Sequence, residues 1–187
     1  MSASFEFSDV ERITVGTVGE PGQRTFYLQI RQADQLVTLK LEKQQVAALA
    51  QLLAEMLSDL PAAESPAAPA AELEEPVIAE WPVGDMQLSY DTTLDRIVIL
   101  AEEVTTAVEE PESAIGEPLG EEPSDELSRD EGVARIAITR DQAAALIIRS
   151  AQLVAAGRPT CPLCGNPIDP TGHACPRTNG HAPRASS

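Results

Sequence analysis

Polar and apolar residues alternate three times within the first forty-odd positions. "ERITVGTV" sets Ile13 and Val15 on one side. "RTFYLQI" does the same with Phe26, Leu28 and Ile30, and "LVTLKL" with Val37, Leu39 and Leu41. A period of two marks half-buried antiparallel strands. "GEPGQ" between the first two is turn chemistry, with Gly and Pro supplying the backbone angles. The period then changes. In "EKQQVAALAQLLAEML", Val46, Leu49, Leu53, Met56 and Leu57 fall on one helical stripe, and Pro61 ends it. Residues 1–61 therefore read as a first sheet-plus-helix unit.

Residues 62–77, "AAESPAAPAAELEEPV", have no period and read as a Pro/Ala/Glu linker that buries little. Alternation resumes after residue 78. "VGDMQLSY" places Met86, Leu88 and Tyr90 on one side, "DTTLD" turns, and "RIVILAEE" returns as a strand. "GVARIAI" is a third strand, and "TRDQAAALIIRSAQLVAA" a helix. Thr139 with Gln142 matches a capping box, and Gly157 and Pro159 close that helix. The second unit spans 78–157. A disordered acidic loop, about 104–131, leaves it between the hairpin and the last strand.

The halves look alike. "LKLEKQQVAAL" from Leu39 aligns without gaps to "IAITRDQAAAL" from Ile136, a constant offset of 97. Each half also opens on Val-Gly, at Val15-Gly16 and Val83-Gly84. The predicted fold is α+β. Two pseudo-repeated antiparallel β-hairpin/strand-plus-helix units pack together, sharing one continuous sheet and one core. Lys43/Gln45 and Arg140/Gln142 stand at matching helix entrances, as helix-end chemistry or as a paired polar patch for a partner. Trp81, the single tryptophan, reads as a core anchor, and Glu20 with Arg24 as an exposed ion pair.

Charge narrows the partners. The 187 residues carry a net charge of −17. Twelve carboxylates and one arginine between Glu102 and Glu131 supply −11 of it. Such a balance opposes a general grip on nucleic acid, which needs Lys and Arg facing phosphates, and opposes docking on anionic lipid. No apolar run reaches the roughly 18 residues of a membrane helix. The N-terminus lacks the basic-then-apolar order of a secretory signal. The expected compartment is the cytoplasm. Exposed hairpin edges permit homodimerisation by strand addition without requiring it.

All three cysteines lie in the last unit, residues 158–187, within "CPLCGNPIDPTGHACP". The spacing is Cys161-x2-Cys164-x8-His173-x-Cys175. Two intervening residues let one tight turn aim two thiolates at a single ion, and Gly165 relieves that turn. The loop "NPIDPTG" brings His173 and Cys175 back. Three thiolates and an imidazole form the closed tetrahedral set of a structural zinc site, a small zinc knuckle. Metal binding would also fold a tail with almost no apolar residues. His181 is the second choice for the imidazole. A Cys161–Cys164 redox pair is disfavoured, because such pairs follow a strand and open a helix, whereas this one follows a helix and opens a Pro-rich loop. A cysteine–histidine nucleophile and an open catalytic zinc are disfavoured too. Zinc release on thiol oxidation is compatible with the site.

Three stretches, "FEFSDVERITVGTVGEPGQRTFYLQIR", "VTLKLEKQQVAALA" and "CPLCGNPIDPTGHACPRTNG", together resemble an actinobacterial family of uncharacterised cytoplasmic proteins of about this size, a domain of unknown function ending in a CPxCG…HxCP motif. The resemblance implies a Cys-Cys-His-Cys zinc tail on Cys161, Cys164, His173 and Cys175, and it implies no catalytic residues. The expectation is a non-enzymatic, zinc-carrying interaction or regulatory protein whose protein partner the residues do not choose. The alternatives are a redox- or zinc-responsive sensor or enzyme using the tail, and nucleic-acid association through Arg158, Arg177 and Arg184.

Overall fold

A computed structural model of the chain describes residues 2–20, 22–60, 71–104, 131–157, 161–166, 168 and 172–177. It shows a mixed α+β fold. In chain order the elements are β1 (Phe5–Phe7), β2 (Arg12–Val18), β3 (Thr25–Gln32), β4 (Gln35–Leu41), α1 (Lys43–Ser58), β5 (Val83–Asp91), β6 (Arg96–Glu103), β7 (Val133–Ile138) and α2 (Arg140–Ala155). The alternating stretches are strands and both helical stripes are helices. β1 was not foreseen. At three residues, Phe5–Phe7 is too short to show a period, and a tertiary contact decides it: β1 pairs in parallel with β7, Phe7 opposite Ile136.

The strands form two sheets, β2-β3-β4 and β1-β7-β6-β5. The expected continuous sheet is interrupted at the joint between the halves. There Glu80 N–H donates to Thr38 O (2.9 Å) and Lys40 N–H to Trp81 O (3.1 Å), and Lys40 and Pro82 form one parallel bridge. Pro82 has no N–H with which to extend the ladder, and a bulge between Val83 and Met86 bends the chain away. Trp81 is buried in this joint, its indole N–H donating to Ala3 O (2.9 Å). It is an anchor, as expected.

One core serves both halves. Leu28, Ile30 and Leu39 from the first sheet, Ile97, Ile99 and Ile136 from the second, and Val46, Leu49, Leu53, Ala143 and Leu146 from the helices belong to a single buried cluster. The buried positions of α1 are Val46, Leu49 and Leu53; those of α2 are Ala143, Leu146 and Ser150, the same positions at the offset of 97. Burying each of the larger aliphatic side chains stabilises by about 1.5–3 kcal/mol. A cap contributes ~1 kcal/mol, so packing, more than capping, holds the helices.

The helix-entrance glutamines are structural. Gln45 Oε1 accepts from Glu42 N–H (2.7 Å), while its Nε2 donates to Val83 O (2.8 Å) and Gly84 O (2.7 Å). Gln142 Oε1 accepts from Thr139 N–H (2.9 Å), and its Nε2 donates to Val10 O (2.6 Å). Each glutamine caps its own helix and ties it to the first strand region of the other half. Arg140 is held by Asp95, Nη2 to Oδ2 at 2.6 Å, and Asp95 also accepts from the Tyr90 hydroxyl. Arg24 donates to Ala156 O at the end of α2 (2.9 Å), in place of the ion pair expected with Glu20.

β6 ends at Glu103 and β7 begins at Val133, so the acidic segment leaves from the expected connection. Its residues 105–130 lie outside the described ones. Residues 71–77, the described part of the expected linker, have no buried residue but are tied to the body. They lie on the outer face of β2-β3-β4, where Arg12 and Arg31 both pair with Glu74. Polar bonding of this kind leaves no hydrophobic period to read.

The hydrogen bond from Arg31 holds the Glu74 carboxyl below its ordinary value of 4.5, against the cost of partial burial and with added charge from Arg12. A carboxylate depressed in the folded state contributes stability that is complete above its unfolded value and is lost as pH falls through the folded value. The thermal midpoint of Glu74→Gln is therefore expected below that of wild type at neutral pH, with the gap closing as pH drops below about 4. Melting curves of both proteins across pH check this; a gap that stays constant would contradict it.

Candidate metal centre

The tail builds its own small centre. Cys161 N–H donates to Asn166 O and Gly165 N–H to Cys161 O, both at 2.8 Å, closing a tight loop around the first two cysteines. Gly165 has φ +75°, and a Cβ there would meet open space. The glycine is thus required by backbone angle and not by crowding. Gly172, also left-handed at φ +91°, turns the chain before His173. Cys161, Cys175 and Ile168 are buried and form a cluster apart from the main core, with Cys164 packed against it.

The four ligand atoms converge. Cys161 Sγ lies 3.9 Å from Cys175 Sγ, and Cys164 Sγ lies 3.2 Å from His173 Nε2. All four lie within 4.8 Å of one another, close enough to hold one metal ion. Zinc–sulfur bonds of ~2.3 Å arranged tetrahedrally put sulfurs about 3.8 Å apart, so the Cys161–Cys175 separation fits. The imidazole faces the cluster through Nε2, and its buried Nδ1 has no hydrogen-bond partner among the described residues. His181 lies outside the described residues; His173 occupies the position on its own geometry. Arg177 is described, while Arg158 and Arg184 are not.

Local electrostatics separate the two knuckle thiols. Burial opposes ionisation of Cys161, but the amides of Cys164 and Leu163 and the neighbouring thiols bring its pKa below the ordinary thiol value. At Cys164 the Asn166 amide favours the thiolate, yet burial and the adjacent sulfurs push the thiol up.

Among the described residues, apolar burial alone contributes little to ordering the tail. Burying Ile168, the aliphatic side chain at the centre, is worth about 1.5–3 kcal/mol. Fixing the backbone costs roughly 1–2 kcal/mol per residue, so that burial offsets the ordering of only about one to three residues. A structural zinc supplies on the order of 10–16 kcal/mol.

The chain belongs to the DUF3090 family, described as a protein of unknown function, whose model matches residues 5–175. That span takes in both sheets, both helices and all four cluster residues. No curated protein and no solved structure matches the chain. Among the described residues, no helix is long and apolar enough to cross a membrane.

Cobalt(II) added to metal-stripped protein is expected to give the intense visible bands of a tetrahedral thiolate site at one equivalent. Cys164→Ser should weaken or shift them while the body keeps its far-ultraviolet spectrum. Weak octahedral bands, or a Cys164→Ser spectrum like that of wild type, would refute the four-ligand centre.

Proposed function

We propose that this protein is a non-enzymatic, zinc-carrying interaction or regulatory protein, its zinc structural and held by Cys161, Cys164, His173 and Cys175. The observation that carries the reading is the closed ligand set: three sulfurs and one imidazole nitrogen within 4.8 Å of one another. A catalytic zinc keeps a position open for water or substrate, and a fourth protein ligand takes it away. Thiolate donors favour zinc over the hard, oxygen-seeking cations. The partner is a protein, in keeping with a net charge of −17 that repels nucleic acid and anionic lipid. Cytoplasmic residence and actinobacterial origin belong to the same proposal and rest on the resemblance of the three quoted stretches.

The purified protein is expected to carry about one zinc per chain, retained through dialysis against a chelator at neutral pH, with thiols that react slowly. It should retain a specific protein from nuclease-treated native lysate. If that partner is lost with Cys164→Ser, the zinc tail lies in the contact; if it is kept, the contact is on the body. Substoichiometric zinc that exchanges freely, with fast-reacting thiols, would replace this reading with that of a redox- or zinc-responsive sensor. Retention of no protein by either form would overturn the interaction role.

A further inference from the structure

The outer face of the three-stranded sheet is unusually polar for a covered surface. Thr14, Gln29 and Thr38 stand in register across β2, β3 and β4, and all three are buried. On one side of this row Arg12 lies opposite Arg31, and on the other Gly16 lies opposite Tyr27. Buried polar groups need partners; Gln29 Nε2 donates to Thr38 Oγ1 (3.2 Å) within the sheet, and an extended segment, residues 71–74, supplies partners for Thr14 and Gln29.

Each contact reads a feature of that segment. Thr14 Oγ1 donates to Ala71 O (2.6 Å). Gln29 pairs with the main chain of Glu74 in both directions, accepting from its N–H (2.8 Å) and donating to its C=O (3.0 Å). One side-chain amide thus stands in for a neighbouring strand. Leu73 fills a notch that exists because residue 16 is glycine; a Cβ there would lie 2.3 Å from Leu73 Cγ. Arg12 and Arg31 close on the Glu74 carboxylate. The specification is an apolar slot at Leu73 followed by a main-chain pairing and a carboxylate clamp, both at Glu74. Strand-addition recognition of peptides uses the same combination of main-chain bonds and side-chain pockets.

We propose that this face is a recognition surface for an extended acidic peptide of a partner protein carrying Leu-Glu, and that residues 71–74 occupy it in cis. The proposal deepens the interaction reading above and rests on it. Two observations favour an exchangeable occupant over a purely structural one. Leu73 lies outside the main core cluster, so the segment is held from outside the core. The occupant also leaves room: a cavity of about 520 Å³ continues between Val18, Tyr27 and Glu75–Val77, and Val18 is 48% exposed. A partner peptide with bulkier apolar residues after its glutamate would fill that space and gain contacts that the chain's own segment does not make. It must outcompete a tethered segment whose effective concentration is of millimolar order, so binding is weak until the segment is released.

The test is fluorescence anisotropy with a labelled nine-residue peptide, Ala-Ala-Glu-Leu-Glu-Glu-Pro-Val-Ile, copied from residues 70–78. It is titrated into full-length protein carrying Leu73→Ser and Glu74→Lys, with folding checked by Trp81 fluorescence. That variant should bind at least ten-fold more tightly than wild type. Adding Arg31→Ala or Gly16→Ala, or replacing the glutamate after leucine in the peptide by glutamine, should each cost at least ten-fold. If the double variant fails to fold, Glu74→Gln serves instead, and it should bind several-fold more tightly than wild type. A folded variant that binds no better than wild type, or binding indifferent to Arg31 and Gly16, overturns the proposal. If a specific partner is nevertheless retained from lysate, the interaction reading stands and this surface alone is lost.

Discussion

Two glutamine side chains that each face two ways tie the halves of the shared core together. Gln45 and Gln142 close their own helix entrances with the amide oxygen and hold backbone carbonyls of the opposite half with the amide nitrogen. The constraint behind them is that neither half is sufficient. Three strands and one helix leave an apolar face open, and α2 lies along β2, a strand of the other half. Laying α2 along β2 and against α1 merges the two halves into one cluster. Trp81 sits where the halves meet, touching β4 through its carbonyl and the start of the chain through its indole.

This arrangement separates the tasks of the chain. The inner faces of the sheets are committed to the core. The outer face of β2-β3-β4 carries a polar row and two arginines paired with Glu74. The tail is a separate cluster, with Ile168 and two cysteines at its centre, and has no share in the main core. Its four ligand residues lie close enough to hold one metal ion.

Strands β2 to β7 and both helices were legible because each buries one face, and burial imposes a period of two or of 3.6 on the sequence. The cluster was legible for a different reason. Ligand chemistry restricts residue type so strongly that Cys161, Cys164, His173 and Cys175 stand out without any period. What escaped was held by tertiary contacts with little local pattern. β1 exists because β7 offers an edge. The docked segment around Glu74 exists because two arginines and Gln29 await it, and its Ala, Glu and Pro composition looked like linker. The break between the sheets was written in Pro82, but only its neighbours show which ladder the proline interrupts.

The most direct test of the interlocked core is equilibrium unfolding of the full-length protein, followed by Trp81 fluorescence and far-ultraviolet circular dichroism together. The joint and the two halves should unfold as one unit, giving coincident single transitions. Gln45→Ala and Gln142→Ala should each move both probes equally, by about 1–3 kcal/mol for the lost hydrogen bonds to carbonyl groups. Two separated transitions, or a variant that shifts one probe and leaves the other in place, would show that the halves are independent units and contradict the account.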